Sequence, residues 1–438
     1  MEQQTCARDF ARYTVLSVLG TLGVSCYILA DTFFVSKGLG TNGLTALNLA
    51  IPIYNFIHGS GLMLGMGGAT KFSIYKSQGR SRDIDCIYTN TLYLAALLSA
   101  LFFLTGLLFS GQLSLLLGAD GTVFAMTETY LRWLLLFAPA FILNDVFLCY
   151  VRNDGSPQLA MVAMLIGSFA NIVLDYVFIF PFRMGIFGAI FATGLSPIIS
   201  IAVMSPHWLR KRHSFHLTKV KPDAAVMGQT VSLGFPSLIA QLSSGIVMIT
   251  FNALILGITG NTGVAAYGVV ANISLVVVAV YTGISQGMQP LVSSAYGRGN
   301  RQQMREVLRY ALGTTLAVSG LVYLFLFVFA SPVAAVFNSE RDPILQQIAV
   351  SGLKLYFLSV PFAGYNIILA TYFTSIERAL PAHVLSLLRG LILIIPMAFL
   401  MSFLLGMTGI WISYPLTELA VAAAGVAAHR RMKARGRT

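Results

Sequence analysis

Charged residues are scarce in this chain of 438 residues: only 10% are Asp, Glu, Lys or Arg, whereas a typical soluble domain carries about 25%. Hydrophobic residues make up 56% of the chain, and the mean hydropathy is +0.77. A soluble protein of this length needs more polar surface than the chain supplies, so the composition excludes a water-soluble globule. The 30 Phe and 18 Tyr also exclude a disordered chain. What remains is a polytopic membrane protein.

Cysteine is rare as well, with four residues whose spacing fits neither a metal site nor a disulfide framework. We interpret these cysteines as small apolar packing residues. The sequence also lacks a P-loop, a zinc signature and a nucleophile motif. It therefore predicts neither an enzyme nor an ATP-driven pump, and it requires no cofactor.

Apolar runs long enough to cross a bilayer, roughly 20 residues each, recur along the whole chain. The first run is too long for a signal-peptide core and has no small-residue cleavage site after it, so we interpret it as a membrane helix. We predict an all-α polytopic membrane protein with twelve transmembrane helices. Their approximate bounds are 12–36, 45–72, 87–110, 123–150, 157–181, 185–206, 226–258, 263–295, 306–330, 344–374, 381–404 and 408–429.

Most of the 28 Lys and Arg residues fall at the two termini and in the loops after even-numbered helices. The positive-inside rule makes this side cytoplasmic, so both termini are predicted to be cytoplasmic. The net charge of +12 is explained by this bias and by attraction to anionic lipids. We therefore expect the bilayer as a partner and no nucleic acid.

The two halves of the chain repeat each other at an offset of about 220 residues. Gly40 falls on Gly260, and Gly79 falls on Gly299. Each half has six predicted helices, an even number, so both halves enter the membrane from the same side, as in transporters whose halves rock against each other. We predict an N-terminal six-helix bundle over 1–206, a basic cytoplasmic linker over 207–225, and a pseudo-symmetric C-terminal six-helix bundle over 226–438.

Ionisable side chains inside a membrane span are costly, and they are functional by default. Asp31 lies about six residues before the outer end of the first helix, and Asp175 lies equally far from the outer end of the fifth. Asn171 shares a helix face with Asp175, and Thr193 lies at a similar level on the sixth helix. The levels of Asp31, Asp175 and Thr193 fall roughly 9–13 Å below the outer surface at ~1.5 Å per residue. The sequence therefore predicts that two carboxylates, an amide and a hydroxyl meet in the N-terminal half.

Such a cluster suits a small cation, since oxygen ligands bind hard metal ions and two neighbouring carboxylates can share a proton. The residues alone leave H⁺ and Na⁺ open, and they also leave open a hydrogen-bond network that fixes helix packing. Asp31 falls on Phe251 and Asp175 falls on Phe399 in the second half. The acids therefore occur in one half only, which predicts a single ion site.

Arg389 and Glu418 are the deep charges of the second half. Their levels are estimated to differ by about six residues, or ~9 Å, so an ion pair and a substrate contact both stay open. Asn48 lies near the predicted level of the acids and either lines a cavity or bonds to a neighbouring helix. We predict Asn48 and Glu418 as substrate-cavity residues. His58 is predicted to be a packed or hydrogen-bonded histidine.

Two blocks in tandem are more specific: Arg152-Asn153-Asp154-Gly155-Ser156-Pro157 and Asn171-Ile172-Val173-Leu174-Asp175-Tyr176. Gly185-Ile186-Phe187-Gly188-Ala189 follows them, and Gln286-Gly287-Met288-Gln289-Pro290 lies in the eighth helix. With these motifs the sequence resembles the multidrug and toxic compound extrusion (MATE) family over essentially its whole length. It is most similar to the prokaryotic DinF-like and MepA-like branches.

The resemblance implies two six-helix bundles around a central cleft, and a secondary active antiporter that exports organic cations or drugs in exchange for H⁺ or Na⁺. It also implies a multi-pass protein of the bacterial inner membrane, which we expect to be a monomer. The implied site for the coupling cation, including Na⁺, is formed by Asp31, Asn171, Asp175 and Thr193, with the Ala189 carbonyl nearby.

A flippase for a lipid-linked precursor or an oligosaccharide is the alternative within the same superfamily. It would need several deep basic residues to grip phosphates, and this sequence offers mainly Arg132 and Arg389. A channel is a third possibility, which coupled counterflow in liposomes would exclude.

Overall fold

In the computed structural model the described residues, 2–211, 213–338 and 341–434, are almost entirely helical and contain no strand. A 3₁₀ turn over Phe357–Ser359 and a π-helical segment over Leu388–Ile392 interrupt the C-terminal half. The α-helices are α1 (Glu2–Ser77), α2 (Ser81–Leu116), α3 (Phe124–Leu136), α4 (Ala138–Asn153), α5 (Pro157–Ile179), α6 (Gly185–Met204), α7 (Pro206–Leu209), α8 (Ala224–Gly297), α9 (Arg301–Val328), α10 (Ala330–Phe337), α11 (Pro343–Tyr356), α12 (Val360–Ser375), α13 (Ala379–Leu387) and α14 (Ile394–Ala434).

These helices provide the twelve predicted spans. Within the described residues, eight helical stretches are long and apolar enough to cross a membrane, and α3 with α4 adds a span that bends by 46°. Three of the eight stretches are two helices joined at a kink, where the backbone of Gly40, Gly260 or Gly406 is not helical. Dividing them at these glycines gives twelve spans, so the predicted fold class is confirmed.

Several helices begin at signals that are visible in the sequence. The side chains of Asp223 and Asp342 accept hydrogen bonds from backbone N–H groups in the first turns of α8 and α11, at 2.8 Å in each case. Proline occupies one of the first two positions of α4, α5, α11 and α12, where its missing N–H is not needed.

The predicted repeat is present in the backbone geometry. Gly40 has φ 68° and ψ −159°, and Gly260 has φ 66° and ψ −157°. This conformation is nearly restricted to glycine because a Cβ atom would clash with the neighbouring backbone. Each half therefore joins its first two spans with the same kink at equivalent positions.

One compact unit comprises Val15–Leu242 together with Ser293–Asn300. Buried aliphatic and aromatic side chains of α1 to α6 form its core. The start of α8 belongs to this unit because it packs closely on α1: a Cβ atom at Gly67 would lie only 1.9 Å from the carbonyl oxygen of Thr230. All candidate cation-site residues lie within this unit.

The second compact unit comprises residues 1–14, 243–292 and 301–438, as far as these are described. Large buried side chains such as Trp411, Tyr281 and Phe373 contribute to its core. The predicted division of the chain into two bundles joined by a linker over 207–225 stays a prediction.

Candidate cation site

Three helices of the first compact unit supply the five predicted cation-site residues. Asp31 lies on α1, Asn171 and Asp175 on α5, and Ala189 and Thr193 on α6. Asn171, Asp175 and Ala189 are fully buried, while Thr193 and Asp31 are 3% and 8% exposed. The five residues are therefore largely shielded from the exterior of the protein.

Hydrogen bonds hold α5 and α6 together at this level. The Asn171 side-chain amide donates to the Thr193 hydroxyl at 3.4 Å, and that hydroxyl donates to the Ala189 carbonyl at 3.1 Å. About one turn before Asn171 on α5, the Gly167 carbonyl accepts a hydrogen bond from the Ser196 hydroxyl of α6 at 2.9 Å. The two helices thus present an amide, a hydroxyl and a carbonyl at one place.

The carboxyl groups of Asp31 and Asp175 are close enough to interact directly. Nevertheless, Asp31 Oδ1, both carboxyl oxygens of Asp175 and Asn171 Oδ1 accept no hydrogen bond from the part of the chain that the structure describes. A contact between two carboxylates becomes a hydrogen bond only when one oxygen carries a proton, and buried acceptors without donors are costly. The arrangement therefore suits one added positive charge, either a proton or a small cation.

Two tyrosines that the sequence reasoning missed flank this pair of acids. Tyr27 on α1 interacts electrostatically with both Asp31 and Asp175, and Tyr130 on α3 also reaches the Thr193 side chain. Tyr27 precedes Asp31 by four residues, so a shared helix face could have revealed it. No comparable sequence signal pointed to Tyr130, because its position depends on how α3 packs.

A further buried acid, Asp145 on α4, also escaped the sequence reasoning. Its Oδ2 lies 2.5 Å from Nδ1 of His58, which confirms the prediction of a packed or hydrogen-bonded histidine. The Asp145 side chain is 3% exposed and the His58 side chain is 21% exposed. The His58–Asp145 pair lies within the same compact unit as the predicted cation site.

The structure corrects the estimated separation of Arg389 and Glu418. Arg389 Nη2 and Nε donate to Glu418 Oε1 at 2.8 and 3.1 Å, and the Asn366 amide donates to Oε2 at 2.7 Å. The estimate of ~9 Å assumed regular helices. Arg389 instead lies in the π-helical segment, and a kink at Gly406 separates it from Glu418, so the register of a straight helix does not apply.

The two predicted cavity residues differ in their accessibility. Asn48 is exposed on α1, whereas Glu418 is buried. Their placement in a substrate cavity stays a prediction.

The Asp154 carboxylate, from the first motif block, organises the end of α4 outside the membrane spans. It forms an ion pair with Lys76, and it lies 2.9 Å from His207 Nε2. The Ser214 hydroxyl and backbone N–H donate to it at 2.6 and 2.9 Å. Burial by itself would raise the pKa of Asp154, but the hydrogen bonds from His207, Lys76 and Ser214 hold this pKa below its ordinary value. The ionised carboxylate thereby connects the ends of α1 and α4 to α7 and the segment after it.

A family model described as MatE matches residues 17–177 and 236–400, well over half of the chain. The chain belongs to the MatE family. Members of the MatE family are transporters rather than enzymes, and this chain is a multi-pass membrane protein. The resemblance found in the sequence is thereby confirmed.

Individual relatives are distant but match over nearly their full length. The multidrug export protein MepA of Staphylococcus saprophyticus is 23% identical over 427 residues, which cover 97% of this chain and 94% of that protein. A crystal structure of MATE in complex with MaL6 has a TM-score of 0.93 at 25% identity, covering 99% of this chain and 98% of the other. A MOP superfamily transporter from Pyrococcus furiosus has a TM-score of 0.91 at 24% identity, covering 99% and 97%. These MatE-like structures share the fold.

Proposed function

We propose that this MatE-family chain is a secondary active multidrug exporter, which moves organic cations out in exchange for H⁺ or Na⁺ moving in. The observation that carries the proposal is the buried contact between Asp31 and Asp175, whose oxygens include three without a donor among the described residues. Membership of the MatE family and the name of the MepA relative, a multidrug export protein, support the direction of transport.

The coupling step follows from the electrostatics of two adjacent acids. When both carboxylates are ionised they repel each other, and the repulsion is strong where little water screens it. Binding of a proton or Na⁺ removes that repulsion and draws α1 towards α5. We propose that this change in the packing of α1 alters the affinity for the drug, and that release of the cation to the cytoplasm resets the cycle.

The surrounding residues have separate roles in this proposal. Asn171 and Thr193 offer oxygens to the cation, with the Ala189 carbonyl as a further neutral ligand. Asn48 and Glu418 are proposed to contact the drug. A cation bound in this way is cargo that drives the cycle and is not a resident cofactor.

The proposed setting is the bacterial inner membrane, with both termini in the cytoplasm and the chain acting as a monomer. The positive-inside distribution of Lys and Arg supports this orientation.

The deep arginines favour a drug exporter over a lipid-linked flippase. Arg132 bonds to Glu128 at 2.7 Å and Arg389 bonds to Glu418 at 2.8 Å. Each arginine therefore already has an acidic partner, which leaves less positive charge to bind a phosphate group.

Proteoliposomes that contain the purified protein test the proposal. Ethidium transport would be driven separately by an imposed pH gradient and by an imposed Na⁺ gradient. We expect one gradient to drive wild-type transport, and Asp31→Asn and Asp175→Asn each to abolish that dependence. Asp83→Asn is the matched control, because Asp83 is a surface residue paired with Arg80. Gradient-driven transport at the wild-type rate in both cluster variants would refute the proposal.

A further inference from the structure

Two acidic groups within the spans of the first compact unit, the Asp31–Asp175 pair and the His58–Asp145 pair, both involve the kinked helix α1. Measured from the kink at Gly40, Asp31 is nine residues away along the first arm of α1, and His58 is eighteen residues away along the second arm. At ~1.5 Å per residue these levels lie roughly 14 and 27 Å from the kink. The Asp31–Asp175 pair and the His58–Asp145 pair therefore occupy different depths in the bundle.

Two tyrosines fill the level between these pairs. Tyr27 lies thirteen residues from Gly40 on one arm, and Tyr54 lies fourteen residues from it on the other. Their hydroxyl oxygens are 2.6 Å apart and share a hydrogen bond. This hydrogen bond joins the two arms of α1 roughly 20 Å from the kink, at ~1.5 Å per residue.

Each tyrosine also faces one of the two acidic groups. Tyr27 is one helical turn from Asp31 on the same face of α1 and interacts with its charge. Tyr54 is one turn from His58, and the two rings meet edge to face with centroids 5.4 Å apart. The order Asp31, Tyr27, Tyr54, His58 therefore descends through the bundle, with about one turn between Asp31 and Tyr27, the two tyrosines at nearly the same level, and about one turn between Tyr54 and His58.

The inner pair is built for close contact. A Cβ atom at residue 61 would lie 2.6 Å from Asp145 Oδ2, so Gly61 makes room for this carboxylate beside α1. The charged and titratable groups that face the pair are Arg152 and Cys149 from α4 and Tyr54 and Tyr27 from α1. Arg152 is itself buried, and its Nη1 finds no acceptor among the described residues.

We propose that His58 and Asp145 form a second, inner proton site, and that the hydroxyls of Tyr27 and Tyr54 connect it to the outer acid pair. This inference rests on the proposed function and deepens it by assigning H⁺ as the coupling ion. Hydroxyl and imidazole groups transfer protons by exchanging hydrogen bonds. A row of single hydroxyl and imidazole groups does not surround a Na⁺ ion with the several oxygen ligands that a hard cation requires.

One proton crosses the bundle per relay event. It enters as the outer acid pair changes from two carboxylates to one carboxylate and one carboxylic acid. Each tyrosine hydroxyl then accepts one proton and donates another, so both tyrosines stay neutral. A rotation of the side chain or a bridging water closes the gap at either end of the tyrosine pair. The His58–Asp145 pair receives the proton and releases it to the cytoplasm, which returns the chain to its starting charge.

Tyr27→Phe and His58→Gln test the relay, because both changes keep the shape of the side chain. Tyr281→Phe is the matched control: its hydroxyl is also buried and bonded to another hydroxyl, that of Ser319 at 2.7 Å, in the second compact unit. Proteoliposomes that enclose pyranine would report proton entry coupled to ethidium transport. Exchange of labelled for unlabelled ethidium, without any gradient, would report the drug cycle that needs no net proton movement.

We expect coupled proton entry to fall at least about tenfold in Tyr27→Phe and His58→Gln, since loss of a positioned proton-transfer group commonly costs that much or more. Ethidium exchange should stay within about twofold of wild type, and the dependence of the coupled rate on internal pH should flatten in His58→Gln. Tyr281→Phe should match wild type in every assay.

Unchanged coupled proton entry in both relay variants would overturn the inference. Equal loss of exchange and of coupling would also overturn it, because that result shows damage to the drug cycle. Asp31→Asn distinguishes failure of the relay from failure of the proposed function. If this variant keeps coupled transport, the proposed function itself fails; if it loses coupling while the relay variants keep it, only the relay fails.

Discussion

The ion pair between Arg389 and Glu418 gives a prediction whose size follows from its burial. The side chains are 16% and 1% exposed, and Glu418 accepts three hydrogen bonds in total from Arg389 and the Asn366 side chain. Of these three hydrogen bonds, Arg389→Met leaves the buried Glu418 carboxylate only the one from the Asn366 amide. Glu418→Met leaves a guanidinium group with little access to water.

Each single substitution should lower the free energy of unfolding by about 3–5 kcal/mol, the usual cost of leaving a buried charge without its partner. The double substitution Arg389→Met/Glu418→Met removes both charges and fills similar volume, so its cost should be much smaller than the sum. The difference is the coupling energy, which we expect to exceed about 2 kcal/mol.

Equilibrium unfolding of the four proteins in mixed detergent micelles would measure this cycle. The matched control is the exposed pair Arg80–Asp83, whose side chains are 50% and 42% exposed and whose coupling energy should stay below about 1 kcal/mol. Ethidium affinity, measured alongside, tests whether Glu418 also contacts the drug. Simple additivity of the two single substitutions would refute the reasoning.

Two further predictions concern the backbone kink and the end of α4. Gly40→Ala should lower the free energy of unfolding by about 1–3 kcal/mol because its backbone conformation is strained for alanine; Gly121→Ala, at an open site without positive φ, should not, and equal stabilities would contradict the account. Asp154→Asn should lower the melting temperature at neutral pH. The lowered pKa of Asp154 stabilises the fold above the ordinary carboxyl pKa of about 3.9, so the difference from wild type should shrink as pH falls through the folded-state pKa. A difference independent of pH down to about 3 would contradict this assignment.

The sequence was most informative where a rule depends on local pattern. Apolar runs predicted twelve spans, and the aligned Gly40 and Gly260 predicted a repeat whose two kinks have nearly identical backbone angles. The spacing of Asn171 and Asp175 placed both on one helix face, and counting residues from the helix ends brought Asp31 to their level. Only regular helix geometry was needed for these steps.

Sequence reasoning failed where the structure departs from regular helices or depends on packing between helices. The π-helical segment around Arg389 changed its register, so the pairing with Glu418 was underestimated. Asp145 was missed because its partner His58 lies on another helix, and no local spacing connects the two. The contacts of Asp154 with a segment about sixty residues later were likewise invisible in the sequence pattern.

The central claim is that Asp31 and Asp175 hold the coupling cation, and proton counting during drug binding tests it most directly. Ethidium would be added to purified protein in weakly buffered detergent solution, with and without Na⁺, while a pH indicator records the protons released. The account predicts that wild type releases protons, or that Na⁺ competes with ethidium, and that Asp31→Asn/Asp175→Asn shows neither effect while still binding the dye. Wild-type binding without any linkage to H⁺ or Na⁺, or the same linkage in the double variant, would contradict it.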